Sequence, residues 1–93
     1  MKVFWSKRSL ADLRHITDWI SRDNPTAAAK LAKRIFDGAM ALEAMSFRGR
    51  LGGETDTREL VYSGTSYVAI YRVVGEQVRI LRIRHTSQDW PRR

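Results

Sequence analysis

The sequence predicts an α+β fold with the element order β-α-α-β-β-β, a helical hairpin packed on a small, mainly antiparallel sheet. Three observations predict it. Apolar residues recur at helical spacing from Leu10 to Leu42, and from Thr57 the period changes to two. The breaks between the later strands are short and glycine-bearing, which implies antiparallel hairpins. With 93 residues, residues 1–93 read as a single domain with one modest core.

Residues 2–5, KVFW, read as a short first strand. Ser6 or Ser9 is placed to cap the helix that follows. Leu10, Leu13, Ile16 and Ile20 form its apolar stripe, with Trp19 at the edge, and Arg14, Asp18 and Arg22 run along a more polar side. The helix is expected to end near Ser21 to Asp23. Asn24-Pro25 opens a second helix, because asparagine caps well and proline at the first helical position loses no hydrogen bond. Its stripe runs Ala28, Leu31, Ala32, Ile35, Phe36, Ala39, Met40 and Leu42, with an expected stop near Met45. The alanines let the two helices approach closely.

The segment 46–56, SFRGRLGGETD, reads as a flexible connector carrying Arg48 and Arg50. It lacks the spacing of a nucleotide-binding glycine loop. TRELVY, SYVAIYRVV and QVRILRIRH then read as three strands rich in Val, Ile and Tyr. Turns fall at Ser63 to Thr65 and at Gly75-Glu76. Strict alternation along the last strand separates Val78, Ile80, Arg82 and Arg84 from Arg79, Leu81, Ile83 and His85. Neither set is purely apolar. The expectation is that Leu81 and Ile83 face the helices and that Arg82 and Arg84 project from the open face.

Composition narrows the function. Seventeen Lys and Arg against ten Asp and Glu give a net charge of +7, which favours an acidic or polyanionic partner. There is no cysteine, so disulfides and thiolate metal sites are excluded. His15 and His85 are far apart in sequence, and Asp12 and Asp18 flank His15 poorly for ligation, so no metal and no cofactor are expected. No window is apolar enough to span a bilayer, and the start MKVFWSKRSL has no apolar signal core. A cytoplasmic protein without a membrane partner is expected.

The stretches VFWSKRSLADLRHI, the Asn24-Pro25 helix start, RELVY followed by YVAIYRV, and VRILRIRHTSQDWP occur in an order that resembles the RelE/ParE superfamily. These are toxins of bacterial type II toxin–antitoxin pairs. The resemblance covers nearly the full length. It implies a RelE/ParE-like fold whose first strand lies parallel to its last. It also implies a cognate antitoxin that wraps an acidic and apolar segment over the toxin. RelE-like members are ribosome-dependent endoribonucleases that cut messenger RNA. ParE-like members inhibit DNA gyrase with no known catalysis of their own, the activity linked to plasmid stabilisation.

Cleavage through the 2′-hydroxyl needs a base, an acid, and cations for the phosphate charge. The strand where RelE-like enzymes carry paired lysines here reads Thr57-Arg58-Glu59-Leu60-Val61. Their next-strand arginine falls near Val68. Arg72 sits in the Tyr71-Arg72-Val73 run that resembles ParE-like proteins, and Trp90 cannot transfer a proton. His85 is the one candidate acid or base, because histidine ordinarily titrates near neutrality. With Arg82, Arg84 and Arg58 it makes up the ribonuclease reading. The plainer role for His85 is closing the sheet edge by bonding to backbone or to Asp89. The ParE-like reading expects no catalytic residue. It uses Arg58, Arg72, Arg82, Arg84, Trp90 and Trp5 to bind the target or the antitoxin, with gyrase as target and the ribosome as the alternative. Arg58 has an equal structural reading, bracing the loop through Glu54 or Asp56. A non-catalytic RNA-binding module, with Tyr62, Tyr67 and Tyr71 as stacking rings, is the third reading. It lacks the run of glycine and phenylalanines of an RNA-recognition motif.

Overall fold

The computed structural model of the protein describes residues 1–86. Strand β1 (Lys2–Trp5) runs through Ser6 into helix α1 (Lys7–Ser21), and helix α2 (Pro25–Met40) packs back against it. A short 3-10 turn, Ala41–Glu43, follows. Strands β2 (Arg50–Leu51), β3 (Thr57–Val61), β4 (Tyr67–Val74) and β5 (Gln77–His85) complete the described chain. The sheet order is β1-β5-β4-β3-β2. β1 is parallel to β5, and every other pairing is antiparallel.

Local chemistry sets the helix starts. The Ser6 hydroxyl accepts from the Ser9 amide at 3.0 Å, and the Asn24 side chain accepts from the Ala27 amide at 3.0 Å, with Pro25 beginning the helix. Each cap satisfies an amide that the helix itself leaves without a partner. α2 stops at Met40 rather than near Met45. Gly75, at the β4–β5 turn, has φ +59°, a left-handed conformation that glycine adopts without steric cost.

The core lies between the hairpin and one face of the sheet. Ile35, Ala39 and Leu42 meet Leu60, Ala69, Tyr71, Val78, Ile80 and Ile83, with Val3, Trp5, Leu13, Ile16 and Leu31 packed around them. Leu10, counted above in the buried stripe, is half exposed.

Strict alternation fails in β5. Tyr71 pairs with Ile80 and Ile70 pairs with Arg82, so Leu81 is an extra, unpaired residue in a β-bulge. The bulge puts Val78, Ile80 and Ile83 on the core face together. It corrects the expectation that Leu81 faces the helices. Leu81 is only half-buried, while Ile83 is in the core. Arg82 and Arg84 pair with Ile70 and Val68, on the face away from that cluster.

The segment 46–56 is not simply a connector. It contains β2, and its first half is tied to the core. The Tyr71 hydroxyl accepts from the Gly49 amide at 2.8 Å and donates to the Ser46 carbonyl at 2.8 Å. Gly49 packs so closely that a Cβ there would lie 2.7 Å from the Tyr71 ring. Burial raises the Tyr71 phenol pKa, and the Gly49 amide and the Arg58 charge oppose that shift. Removing this hydroxyl strands two buried backbone groups. Tyr71→Phe is therefore expected to lower unfolding free energy by about 2–3 kcal/mol in urea titrations, well beyond an average single hydrogen bond.

Candidate functional site

β1 pairs with β5 only as far as Ile80. Beyond that point the β5 backbone would present an open edge, and the start of α1 covers it. The Ser6 amide donates to the Ile80 carbonyl at 3.0 Å, and the Ser6 hydroxyl donates to the Leu81 carbonyl at 3.0 Å. Nearly two turns further on, Asp12 accepts from the Ile83 amide at 2.9 Å. The same carboxylate accepts from Arg82 through Nε at 2.8 Å and through Nη2 at 3.0 Å, a bidentate pair.

This pair is largely shielded from solvent, with side-chain exposures of 21% for Arg82 and 17% for Asp12. Burial by itself would raise the Asp12 carboxyl pKa. The hydrogen bonds from Arg82 and Ile83, with the charges of Arg82 and Arg84, outweigh it and hold the group below its ordinary value. Arg82 is raised in turn, chiefly by its hydrogen bond to Asp12. Arg84 is shifted the other way, by burial and by the neighbouring charges of Arg82 and Arg8, with Asp12 opposing.

α1 and the end of β5 enclose a cleft of about 400 Å3. Asp12, His15, Ile16 and Trp19 line one side, and Tyr67, Arg82, Ile83, Arg84 and His85 the other. The His85 ring meets Tyr67 edge-on, with centroids 5.2 Å apart. Trp19 is 62% exposed and carries the Arg22 guanidinium 5.3 Å from its ring centre. His15, read from sequence as lying away from the sheet's end, is brought into the same cleft as His85. Its place follows from α1 lying along the β5 edge, which linear separation does not reveal. Among the described residues no group of three potential ligands converges on a metal position.

The remaining sequence candidates are dispersed. Arg58 sits opposite Tyr71 and donates to the carbonyls of Phe47 at 3.3 Å and Gly49 at 2.8 Å, with its guanidinium 5.0 Å from the Phe47 ring centre. It braces the loop, through backbone oxygens rather than through Glu54 or Asp56. Its neighbour Glu59 takes Arg50 at 2.9 Å. Trp5 is half-buried and stacks on Phe36 at 5.6 Å. Trp90 and Asp89 lie outside the described residues. On the face away from the hairpin, Arg72 stands directly opposite Arg79, and Phe4 stands opposite Arg79 on the other side. Arg79 was not singled out in sequence. Its only signal there was its position in the strand.

The carboxylate clamp gives a pH signature. Asp12 has a depressed folded-state pKa, so its contribution is complete above the unfolded value and is lost as pH falls through the folded one. Asp12→Asn should cost about 1.5–3 kcal/mol at pH 7 by urea unfolding. The gap from wild type should stay constant down to about pH 5 and shrink as pH falls below about 4.

With this geometry in hand, comparison with known proteins is consistent across the whole fold. The family model described as "ParE toxin of type II toxin-antitoxin system, parDE" matches residues 3–90. A Sinorhizobium fredii protein designated Y4kP is 37% identical over 90 residues, covering 97% of this chain and 93% of its own. "Toxin RelE2" of Caulobacter vibrioides is 41% identical over 87 residues, covering 94% and 97%. A solved structure titled "Chromosomal ParDE TA system from P. aeruginosa" superposes with a TM-score of 0.82 at 28% identity, over 91% of this chain and 95% of that one. The bulged β5 strand, the parallel β1 and the helical hairpin thus belong to a toxin of the ParE family of type II toxin–antitoxin systems, within the RelE/ParE superfamily.

Proposed function

We propose that this toxin is ParE-like in action: it binds DNA gyrase, halts replication without catalysing a reaction of its own, and is neutralised by a cognate antitoxin in the cytoplasm. One observation carries the reading. Arg58 and Arg82, cations that an RNA-cleaving centre would draw on, are already bound within the chain. Arg58 holds the carbonyls of Phe47 and Gly49, and Arg82 is clamped by Asp12. Transition-state stabilisation needs donors aimed at the phosphate where charge develops. Donors committed to carbonyls and to a carboxylate are poorly suited to that task.

The face away from the hairpin supports docking instead. Arg72 and Arg79 stand side by side across β4 and β5, and like charges directly opposite cost a sheet stability. A partner's carboxylate laid between them offsets that cost. Phe4, 45% exposed beside Arg79, offers an apolar anchor. In such an interface charges steer and orient, while buried anchors supply most of the affinity. The +7 net charge fits an acidic antitoxin segment by the same logic.

The ribonuclease alternative has one observation in its favour: His85, His15 and Tyr67 share a cleft, and two imidazoles can act as acid and base. Purified toxin added to gyrase supercoiling and cleavage assays, and separately to translating ribosomes with mapped messenger RNA ends, separates the two. The expected result is trapped gyrase–DNA cleavage without new RNA ends. Charge reversal at both Arg72 and Arg79 should weaken gyrase inhibition by about tenfold or more. Codon-linked RNA cuts that disappear in His85→Ala, with gyrase unaffected, would reverse the assignment.

A further inference from the structure

We infer that the groove between α2 and the uncovered end of the β3 edge takes an extended acidic segment of the antitoxin, paired as a strand with Val61 and held by Arg34 and Arg48. The inference rests on the reading that a cognate antitoxin neutralises this toxin, and it names the surface on which that segment lies.

β2 pairs only with Arg58 and Glu59, so the last part of β3 has no neighbour on that side. Successive residues of an antiparallel strand aim their N–H and C=O groups to opposite sides. The Thr57 carbonyl accepts from the Gly52 amide, on the β2 side, and the Tyr62 amide donates to the Tyr67 carbonyl, on the β4 side. Val61 therefore points its backbone groups away from β4, past the end of β2. The chain just before β2 is engaged elsewhere. The Arg48 amide donates to the Met45 carbonyl at 3.1 Å, and the Gly49 amide donates to the Tyr71 hydroxyl at 2.8 Å. The Val61 side chain is 44% exposed. An edge of this kind is a template for an added strand.

Beside the edge lies a groove of about 420 Å3, lined by Arg34, Asp37 and Gly38 of α2, by Arg48 and by residues 60–63. Its shape is set by the packing of α2 on β3. The Tyr62 hydroxyl donates to the Ile35 carbonyl at 2.7 Å, and a Cβ on Gly38 would lie 2.5 Å from the Tyr62 ring. A preformed groove spares a ligand the cost of ordering it.

Charge selects the occupant. Asp37 is paired with Lys33 at 2.7 Å. Arg34 and Arg48 are exposed and have no ion pair or side-chain hydrogen bond among the described residues. A second copy of this chain, at +7, would bring more positive charge to the groove, and like charges across paired strands are destabilising. A nucleic acid would satisfy the guanidiniums but has no peptide backbone to pair with Val61. An acidic extended segment meets both demands. Leu60 and Tyr62 belong to the core, so Val61 projects from the other face. Alternation then lets the added strand turn carboxylates to the α2 side and apolar side chains to the Val61 side.

The probe is an octapeptide of alternating Glu and Val, titrated into the free, full-length toxin and followed by NMR. A Glu-Pro octapeptide keeps the charge but loses half of the amide donors, and a Lys-Val octapeptide reverses the charge. The Glu-Val peptide should shift the Val61 amide and the Arg34 and Arg48 guanidinium signals saturably, and the other two should bind more weakly by about tenfold or more. Arg34→Glu combined with Arg48→Glu should weaken it by about as much, while Arg79→Glu leaves it unchanged. All three arginines are exposed, and amide spectra check that the variants stay folded. In the toxin purified with its cognate antitoxin, the Val61 amide should exchange with deuterium more slowly than in the free toxin, by about tenfold or more. The proposal is overturned by a Glu-Pro peptide that binds as tightly as Glu-Val, by a double variant that binds as wild type does, or by an antitoxin complex in which Val61 exchanges as in the free toxin. A free-toxin dimer that already protects Val61, or an oligonucleotide that displaces the peptide, overturns it equally. If toxin and antitoxin form no complex, the neutralisation reading fails instead, and the peptide titration alone decides the groove.

Discussion

The Asp12 carboxylate is the joint on which the packing of α1 against β5 depends. A parallel first strand only four residues long cannot cover a nine-residue last strand. The remaining β5 edge would expose amides and carbonyls to any passing strand, a standing liability of sheet edges. Ser6 and Asp12 remove that liability from within the chain, taking the carbonyls of Ile80 and Leu81 and the amide of Ile83. The arrangement needs the bulge at Leu81, which turns Ile83 into the core while Arg82 reaches the carboxylate. One side chain therefore fixes the helix against the sheet, closes an edge and occupies the nearest arginine. The same two residues also line the cleft that holds His15 and His85, and their contact ties α1 to β5 beside it.

A second, independent brace works at the far side of the sheet. Tyr71 reaches from the core to Ser46 and Gly49, and Arg58 grips the same loop through Phe47 and Gly49. Between the two braces the sheet's outer face carries Arg72 and Arg79, with Arg50 already paired to Glu59. Arg58 and Arg82, tied to carbonyls and to a carboxylate, thus lie apart from the half-buried Arg72 and the exposed Arg79, and that separation supports the functional reading. A catalytic centre would need the committed arginines to be available at one point. A docking surface needs only the others, spread over a stable sheet.

Much of this was legible in the sequence. The caps at Ser6 and Asn24-Pro25, the change of period at Thr57 and the glycine at Gly75 each report a local rule, so the element order could be read directly. The bulge could not be. One extra residue reverses the face of everything after it, and only the partner strand reveals that Leu81 is unpaired. β2 was missed because two residues held by pairing with β3 carry no periodicity. Arg58 had two readings, and for the bracing one its partners were sought among acids. Its true partners are carbonyl oxygens, which every residue has and no sequence pattern marks. His15 and His85 line one cleft because α1 is laid along the β5 edge, a tertiary fact with no sequence signature beyond the parallel first strand.

The central claim is that Arg82 is a structural residue bound to Asp12 rather than a cation held in reserve for chemistry or docking. A double-mutant cycle tests it most directly, with Asp12→Ala, Arg82→Ala and the double variant compared in urea unfolding at neutral pH. The account predicts a coupling energy of about 1.5–3 kcal/mol, the double variant being far less destabilised than the two single losses added together. Coupling near zero, with Arg82→Ala as stable as wild type, would contradict it and return Arg82 to the pool of functional cations.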